Sequence, residues 1–110
     1  MFNVFERTKA YSDLNGAEFA NELKNNKDAV VVDVRTREEV ESGKIPGAVN
    51  IDLIGSDFDA RIAALDKRKT YLVYCRSGNR SAHACGLMAS NGLKVANLRG
   101  GMMNWRGELK

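Results

Sequence analysis

The sequence is poor in the residues that usually announce a site. Its 110 residues hold one histidine, two cysteines, one tryptophan and one proline. One histidine and two scattered cysteines supply no metal-ligand spacing, so no metal site is expected. Two cysteines are too few for a disulfide scaffold and read as free thiols of a reducing compartment. No stretch approaches the roughly 20 apolar residues of a membrane span. The first residues, through Lys9, carry Glu6, Arg7 and Lys9 and lack a signal-like apolar core. The expectation is a cytoplasmic chain without a membrane partner. Neither sign of charge dominates: 17 Lys and Arg stand against 14 Asp and Glu, for a net +3. The one basic run, Lys67-Arg68-Lys69, has no interleaved aromatics and reads as a solvated connection, so no nucleic-acid partner is expected. Repeats, linkers and low-complexity segments are absent.

What remains is ordinary for a globular protein. A hydrophobic fraction of 44% with 28% charged residues excludes a disordered chain. A chain of this length suits one domain around one core, and a monomer is expected. Residues 1–10 read as a lead-in, with Phe2, Val4 and Phe5 packed on the surface, and residues 11–110 as the domain. Asn15-Gly-Ala-Glu18 and Thr36-Arg-Glu-Glu39 are capping boxes that predict helices ending near Asn25-Asn26 and at about residue 42. Ser56 and Asp59 predict a third helix, with Phe58, Ile62 and Leu65 on its inner face. A fourth is expected from Ser81 to Asn91, closed by Gly92. Strands are expected at Ala29–Asp33, Ala48–Ile51, Tyr71–Tyr74 and Val95–Leu98, and Gly100-Gly101 breaks the chain before a last turn carrying Trp105. Helical segments too long for hairpin turns alternate with the strands. The fold class is therefore α/β, a mainly parallel central sheet with helices on both faces.

The chemistry-bearing residues gather between Tyr71 and Ser90. A β-rich run stops at Cys75, a polar loop of Arg76, Ser77, Gly78, Asn79 and Arg80 follows, and helix formers begin. In open α/β sheets ligands bind beyond the carboxyl ends of the strands, which is where Cys75 falls. If the loop N–H groups turn inward, they and the helix N-terminus form an anion site. The helix end, Arg76 and Arg80 would then hold the thiol largely as thiolate. The pattern predicts a nucleophilic cysteine facing an anionic or electrophilic sulfur or phosphorus substrate.

Four segments carry a resemblance. They are Val31-Val-Asp33-Val-Arg35 with Glu38-Glu39, Gly43-Lys-Ile-Pro46-Gly-Ala-Val-Asn50, Cys75 to Ser81, and Leu98-Arg-Gly100-Gly101 with Trp105. In this order they resemble the single-domain rhodaneses, a sulfurtransferase family, from about Tyr11 to Trp105; Lys44 stands where that family usually has histidine. The resemblance implies a thiosulfate sulfurtransferase (rhodanese) type of transferase. Cys75 would take the outer sulfur of a small anionic donor such as thiosulfate as a persulfide. It would pass that sulfur to a thiophilic acceptor, cyanide in vitro and a thiol or protein in vivo. Two displacements through a covalent enzyme form predict ping-pong kinetics, with no cofactor beyond the persulfide. Inward N–H groups of residues 76–80 would hold its charge, and Gly78 would let the chain curl.

Each role has a plainer reading beside it. Arg80 is assigned to loop carbonyls or the substrate anion, against a structural tie. Arg76 reaches for the sulfonate of thiosulfate or is a solvated arginine. Ser77 and Ser81 can hydrogen-bond the sulfur, but Ser81 is better read as a helix cap. Asp33 and Arg35 are read as ties between neighbouring loops and the active-site loop, His83 as surface or packing, and Cys85 as a small core residue against a resolving cysteine. Trp105, Met102 and Met103 read as packing over the core or as lining for the substrate mouth. Two other functions compete. A cysteine-dependent phosphatase or arsenate reductase places five residues between Cys and Arg, whereas four separate Cys75 from Arg80. A non-catalytic rhodanese-like module binding a protein partner would not need the cysteine.

Overall fold

A computed structural model describes residues 10–110. Most of the expected lead-in, with Phe2, Val4 and Phe5, lies outside the described residues. Both capping boxes form. Asn15 accepts from the Glu18 N–H at 2.8 Å while Glu18 accepts from the Asn15 N–H at 2.8 Å, opening α1 (Gly16–Asn25). Thr36 and Glu39 do the same for α2 (Arg37–Glu41). The third helix, α3 (Phe58–Ala63), begins after Asp57 with no side-chain cap, so the cap expected of Ser56 is not made. The fourth, α4 (Asn79–Ser90), starts two residues earlier than expected.

Five strands form one sheet in which every pairing is parallel: β1 (Ser12–Leu14), β2 (Ala29–Asp33), β3 (Val49–Asn50), β4 (Thr70–Tyr74) and β5 (Lys94–Leu98). Their order is β1-β5-β4-β2-β3. The edge strand β1 has no counterpart in the sequence reading. It is three residues long with two polar side chains, too short to show alternation, and it owes its place to pairing with β5, Ser12 opposite Ala96 and Leu14 opposite Leu98.

Successive strand residues face opposite sides of the sheet, which divides the core in two. Tyr71 and Val73 of β4 join Phe58 and Ile62 of α3 and Ala84, Cys85 and Met88 of α4. Leu72 and Tyr74 join Phe19 of α1, Ile45 and Leu98 on the other face. The Trp105 ring stands edge-on to Phe19 there, with centroids 6.1 Å apart. The chain runs outward from β2 to β3 on one side and from β4 to β5 on the other. The sheet therefore changes direction between β2 and β4, where this architecture leaves a crevice at the carboxyl ends. Asp33 ends β2 and Cys75 follows β4, one on each side of that crevice.

After β5 the chain returns across the cysteine. Met102 donates its N–H to the Cys75 carbonyl at 3.0 Å. Gly101 opens the final 3-10 turn (Gly101–Asn104) at φ 66°, and a Cβ there would strike the carbonyls of Cys75 and Arg76. Gly101→Ala is expected to destabilise the protein by about 1–3 kcal/mol from the backbone conformation alone, with the collision adding to it. Urea unfolding of the variant beside wild type checks this.

Candidate active site

Cys75 is 0% exposed. A buried thiol ordinarily stays protonated, so what surrounds the sulfur decides its chemistry. Gly78 donates its N–H to Cys75 Sγ at 3.1 Å, and Ser81 donates both its N–H and its hydroxyl at 3.4 Å. The local sequence explains the convergence. Gly78, at φ 98°, takes the N-cap position of α4 and has no side chain with which to cap it. Ser81 is the third helical residue, whose N–H has no intrahelical acceptor; the cysteine sulfur fills that place. Ser81 is thus a buried donor to the sulfur and not the cap expected of it. Burial pushes the Cys75 thiol up, but the Ser81 hydroxyl and the N–H groups of Ser81, Gly78 and Ser77 together outweigh it, and the thiol lies below its ordinary value.

Arg80 makes the structural tie that is the alternative to a contact with loop carbonyls or the substrate anion. Both Nη atoms of Arg80 donate to Glu39, at 2.7 and 2.9 Å, and neither goes to a loop carbonyl. Arg80 mainly by these hydrogen bonds lowers the Glu39 carboxyl to about 2, while Cys75 acts on Arg80 only through space. Hydrogen-bond donors, more than the guanidinium groups, therefore favour the thiolate. Glu39 shows in sequence only as half of a capping box; nothing there signals a partner 41 positions away. Arg76 is exposed and makes no ion pair or hydrogen bond among the described residues. Asn79 and Ser77 are exposed as well.

Asp33 and Arg35 pair in the buried crevice, with Arg35 Nη2 2.6 Å from Asp33 Oδ2. Burial works against the charge of Arg35, and Asp33 more than offsets it. The same Nη2 donates to the Gly43 carbonyl at 2.7 Å, and Asn50 donates to the carbonyls of Asp33 and Arg35, both at 2.9 Å. The pair thus ties β2 to the segment from Gly43 to Asn50 and makes no hydrogen bond to the cysteine loop. Its link to Cys75 runs through Tyr74: the Arg35 guanidinium lies 5.7 Å from the centre of that ring, and the Tyr74 hydroxyl accepts from the Ile45 N–H at 3.0 Å. His83 is exposed on α4. Cys85 is buried in the core, and its thiol is pushed up by burial and by the charges of Asp13 and Cys75, which makes it a poor nucleophile. A cleft of about 280 Å³ adjoins the loop, lined in part by Arg35, Arg76 and Met102.

The family model for the rhodanese-like domain matches residues 16–108. The chain belongs to the rhodanese-like domain family. It is 38% identical over 98 residues to YtwF of Bacillus subtilis (strain 168), spanning 89% of this chain and 93% of that protein. It is 32% identical over 95 residues to a sulfurtransferase of Allochromatium vinosum, spanning 86% and 87%. A rhodanese-like domain protein from Staphylococcus aureus superposes with a TM-score of 0.79 at 32% identity, covering 90% of this chain and 96% of that one. The fold is accordingly a single rhodanese-like α/β domain, and sulfurtransferase names among the relatives support a transferase. Among the described residues no helix is long and apolar enough to cross a membrane.

Ser81→Ala removes one of the donors to the sulfur. Hydrogen bonds to charged groups are worth about 1.5–3 kcal/mol, so the Cys75 pKa is expected to rise. Alkylation rates of the Cys85→Ser background across pH measure it, and an unchanged profile would remove Ser81 from the cradle. The depressed pKa also has a sign for stability. The folded state favours the thiolate, so wild type gains stability over Cys75→Ser as pH rises from the folded value to the ordinary thiol value, and loses that gain as pH falls through the folded value. Paired urea titrations at several pH values read the difference.

Proposed function

We propose that this rhodanese-like protein is a sulfurtransferase of the thiosulfate sulfurtransferase type, moving sulfane sulfur through a persulfide on Cys75. The observation that carries this is the set of donors converging on Cys75 Sγ from Gly78 and Ser81 at the carboxyl end of β4. They favour an attacking thiolate at neutral pH, when an unperturbed thiol is mostly protonated. The thiolate attacks the outer sulfur of a donor such as thiosulfate. A bond forms between Sγ and that sulfur, the donor's S–S bond breaks, and its electron pair leaves with sulfite. Two negative charges on thiosulfate and one on the enzyme become two on sulfite and one on the persulfide. An acceptor nucleophile, cyanide in the assay and a thiol or protein in the cell, then takes the outer sulfur and restores the thiolate. An oriented donor facing a developing anion in a water-poor site is worth about 3 kcal/mol. Cys85, with its raised thiol, takes no part.

Intact mass after brief exposure to thiosulfate tests the reading on reduced wild type, Cys75→Ser and Cys85→Ser. Wild type and Cys85→Ser should gain one sulfur atom that cyanide removes, and Cys75→Ser should gain none. A wild type left unchanged by thiosulfate, mercaptopyruvate and a small persulfide alike would sink it.

A further inference from the structure

Arg80 stands where a cation is disfavoured. It is the second residue of α4, at the positive end of the helix dipole, and the first turn of α4 carries no acidic residue of its own. The missing carboxylate comes from α2: Glu39 meets both Nη atoms of Arg80, at 2.7 and 2.9 Å. Glu39 is fixed for that contact, because its Oε1 also accepts from the Thr36 N–H at 3.0 Å and the Thr36 hydroxyl at 3.1 Å. Asp33 acts on Arg80 only through space and is itself bound to Arg35. Among the described residues, Glu39 is the one carboxylate in contact with Arg80. A glutamine would complete the α2 capping box as well as a glutamate does, so the box does not account for the charge at position 39. Arg80 does.

The pair adjoins the nucleophile. Ser81, next to Arg80 in the chain, donates its N–H and its hydroxyl to Cys75 Sγ, and Arg80 and Cys75 act on each other through space. The pair is half-buried, so water screens its charges only in part. A bare guanidinium at Arg80 would stabilise the thiolate further, and that would unbalance turnover. Loading and discharge ask opposite things of the same sulfur. As a nucleophile a thiolate weakens as its basicity falls; as the group released from a persulfide it leaves faster. Each rate changes by about threefold for a tenfold change in acidity.

We infer that Glu39 is a positioning residue for sulfur transfer: by holding Arg80 and cancelling its charge, it balances the two half-reactions at Cys75. This rests on the persulfide reading of Cys75. The balance can be read with a neutral phosphine as the acceptor. Its phosphorus lone pair bonds to the outer sulfur, the S–S bond breaks, and that electron pair returns to Cys75 Sγ. One negative charge on the persulfide becomes one on the thiolate, and the phosphine departs as its neutral sulfide.

The experiment follows the two roles of the sulfur separately, by intact mass in the Cys85→Ser background. Alkylation by iodoacetamide, on the high-pH plateau where Cys75 is all thiolate, reports the nucleophile. Discharge of the thiosulfate-loaded persulfide by tris(hydroxymethyl)phosphine reports the leaving group. Both reagents are neutral, so attraction of an anion to Arg80 does not enter. Glu39→Gln, which keeps the capping box, is expected to slow alkylation and quicken discharge, each by about two- to threefold. Arg80→Gln leaves the Glu39 charge bare and should do the reverse. The double variant restores a pair without net charge and should bring both rates back toward wild type. Rates that fall together in the single variants, a double variant slower than either, or no change in any variant would overturn the assignment of Glu39 while leaving the persulfide reading intact. A Cys75 loaded by none of thiosulfate, mercaptopyruvate and a small persulfide would instead defeat the persulfide reading, and this one with it.

Discussion

A thiolate removed from water must be given hydrogen-bond donors, and here they come from the first turn of a helix. The start of α4 depends on that exchange. Its first residues carry N–H groups that need an acceptor, and the usual side-chain cap is missing because Gly78 occupies the position. Cys75 Sγ supplies the acceptor and receives in return the donors that favour its anion. Gly78 serves two ends: its left-handed backbone turns the loop, and its lack of a Cβ lets Gly100 pass close by. The closing segment can then reach the Cys75 carbonyl. Local helix capping, the cysteine's acidity and the path of the chain after β5 are therefore one arrangement.

The charges around it follow a consistent pattern. Arg35 is neutralised by Asp33 in the crevice, and Arg80 by Glu39 at the helix start. Both pairs fasten separate segments: β2 to the segment around Gly43, and α2 to α4. Burying or half-burying a guanidinium is tolerable only with such a partner. The consequence is that two of the three arginines near the thiol act as fasteners, and Arg76 is the one left without an ion pair among the described residues. Charge count in the motif therefore overstates the positive field around the thiol.

What could be read from sequence divides along the same line. Features set by neighbours in the chain were legible: both capping boxes, the β-branched run of β2, and the position of Cys75 after β4. Features set by distant partners were not. β1 exists because β5 offers it an edge, and three residues carry no period. The Arg80 to Glu39 pair joins positions with no common signature, so the sequence points the guanidinium to loop carbonyls or the substrate anion and leaves a structural tie without a partner. Ser81 reads as a cap in the sequence because a serine ahead of a helical run usually caps. Only knowledge that the helix starts at Asn79 turns it inward, to the sulfur.

The same geometry bears on sulfur against phosphorus chemistry. Phosphoryl transfer to a cysteine requires donors aimed at three equatorial oxygens in the space above the sulfur, with an arginine to bridge them. In this loop the Gly78 and Ser81 N–H groups and the Ser81 hydroxyl point at the sulfur itself, and Arg80 is closed onto Glu39. Only four residues separate Cys75 from Arg80, which leaves little backbone to widen the ring. Sulfane transfer makes smaller demands. In transfer from thiosulfate the charge that leaves the donor departs with sulfite, so an enzyme must hold only the charge on its own sulfur, before and after attack. A cradle built around Sγ meets that demand, which is why its geometry favours a persulfide over a phosphoenzyme.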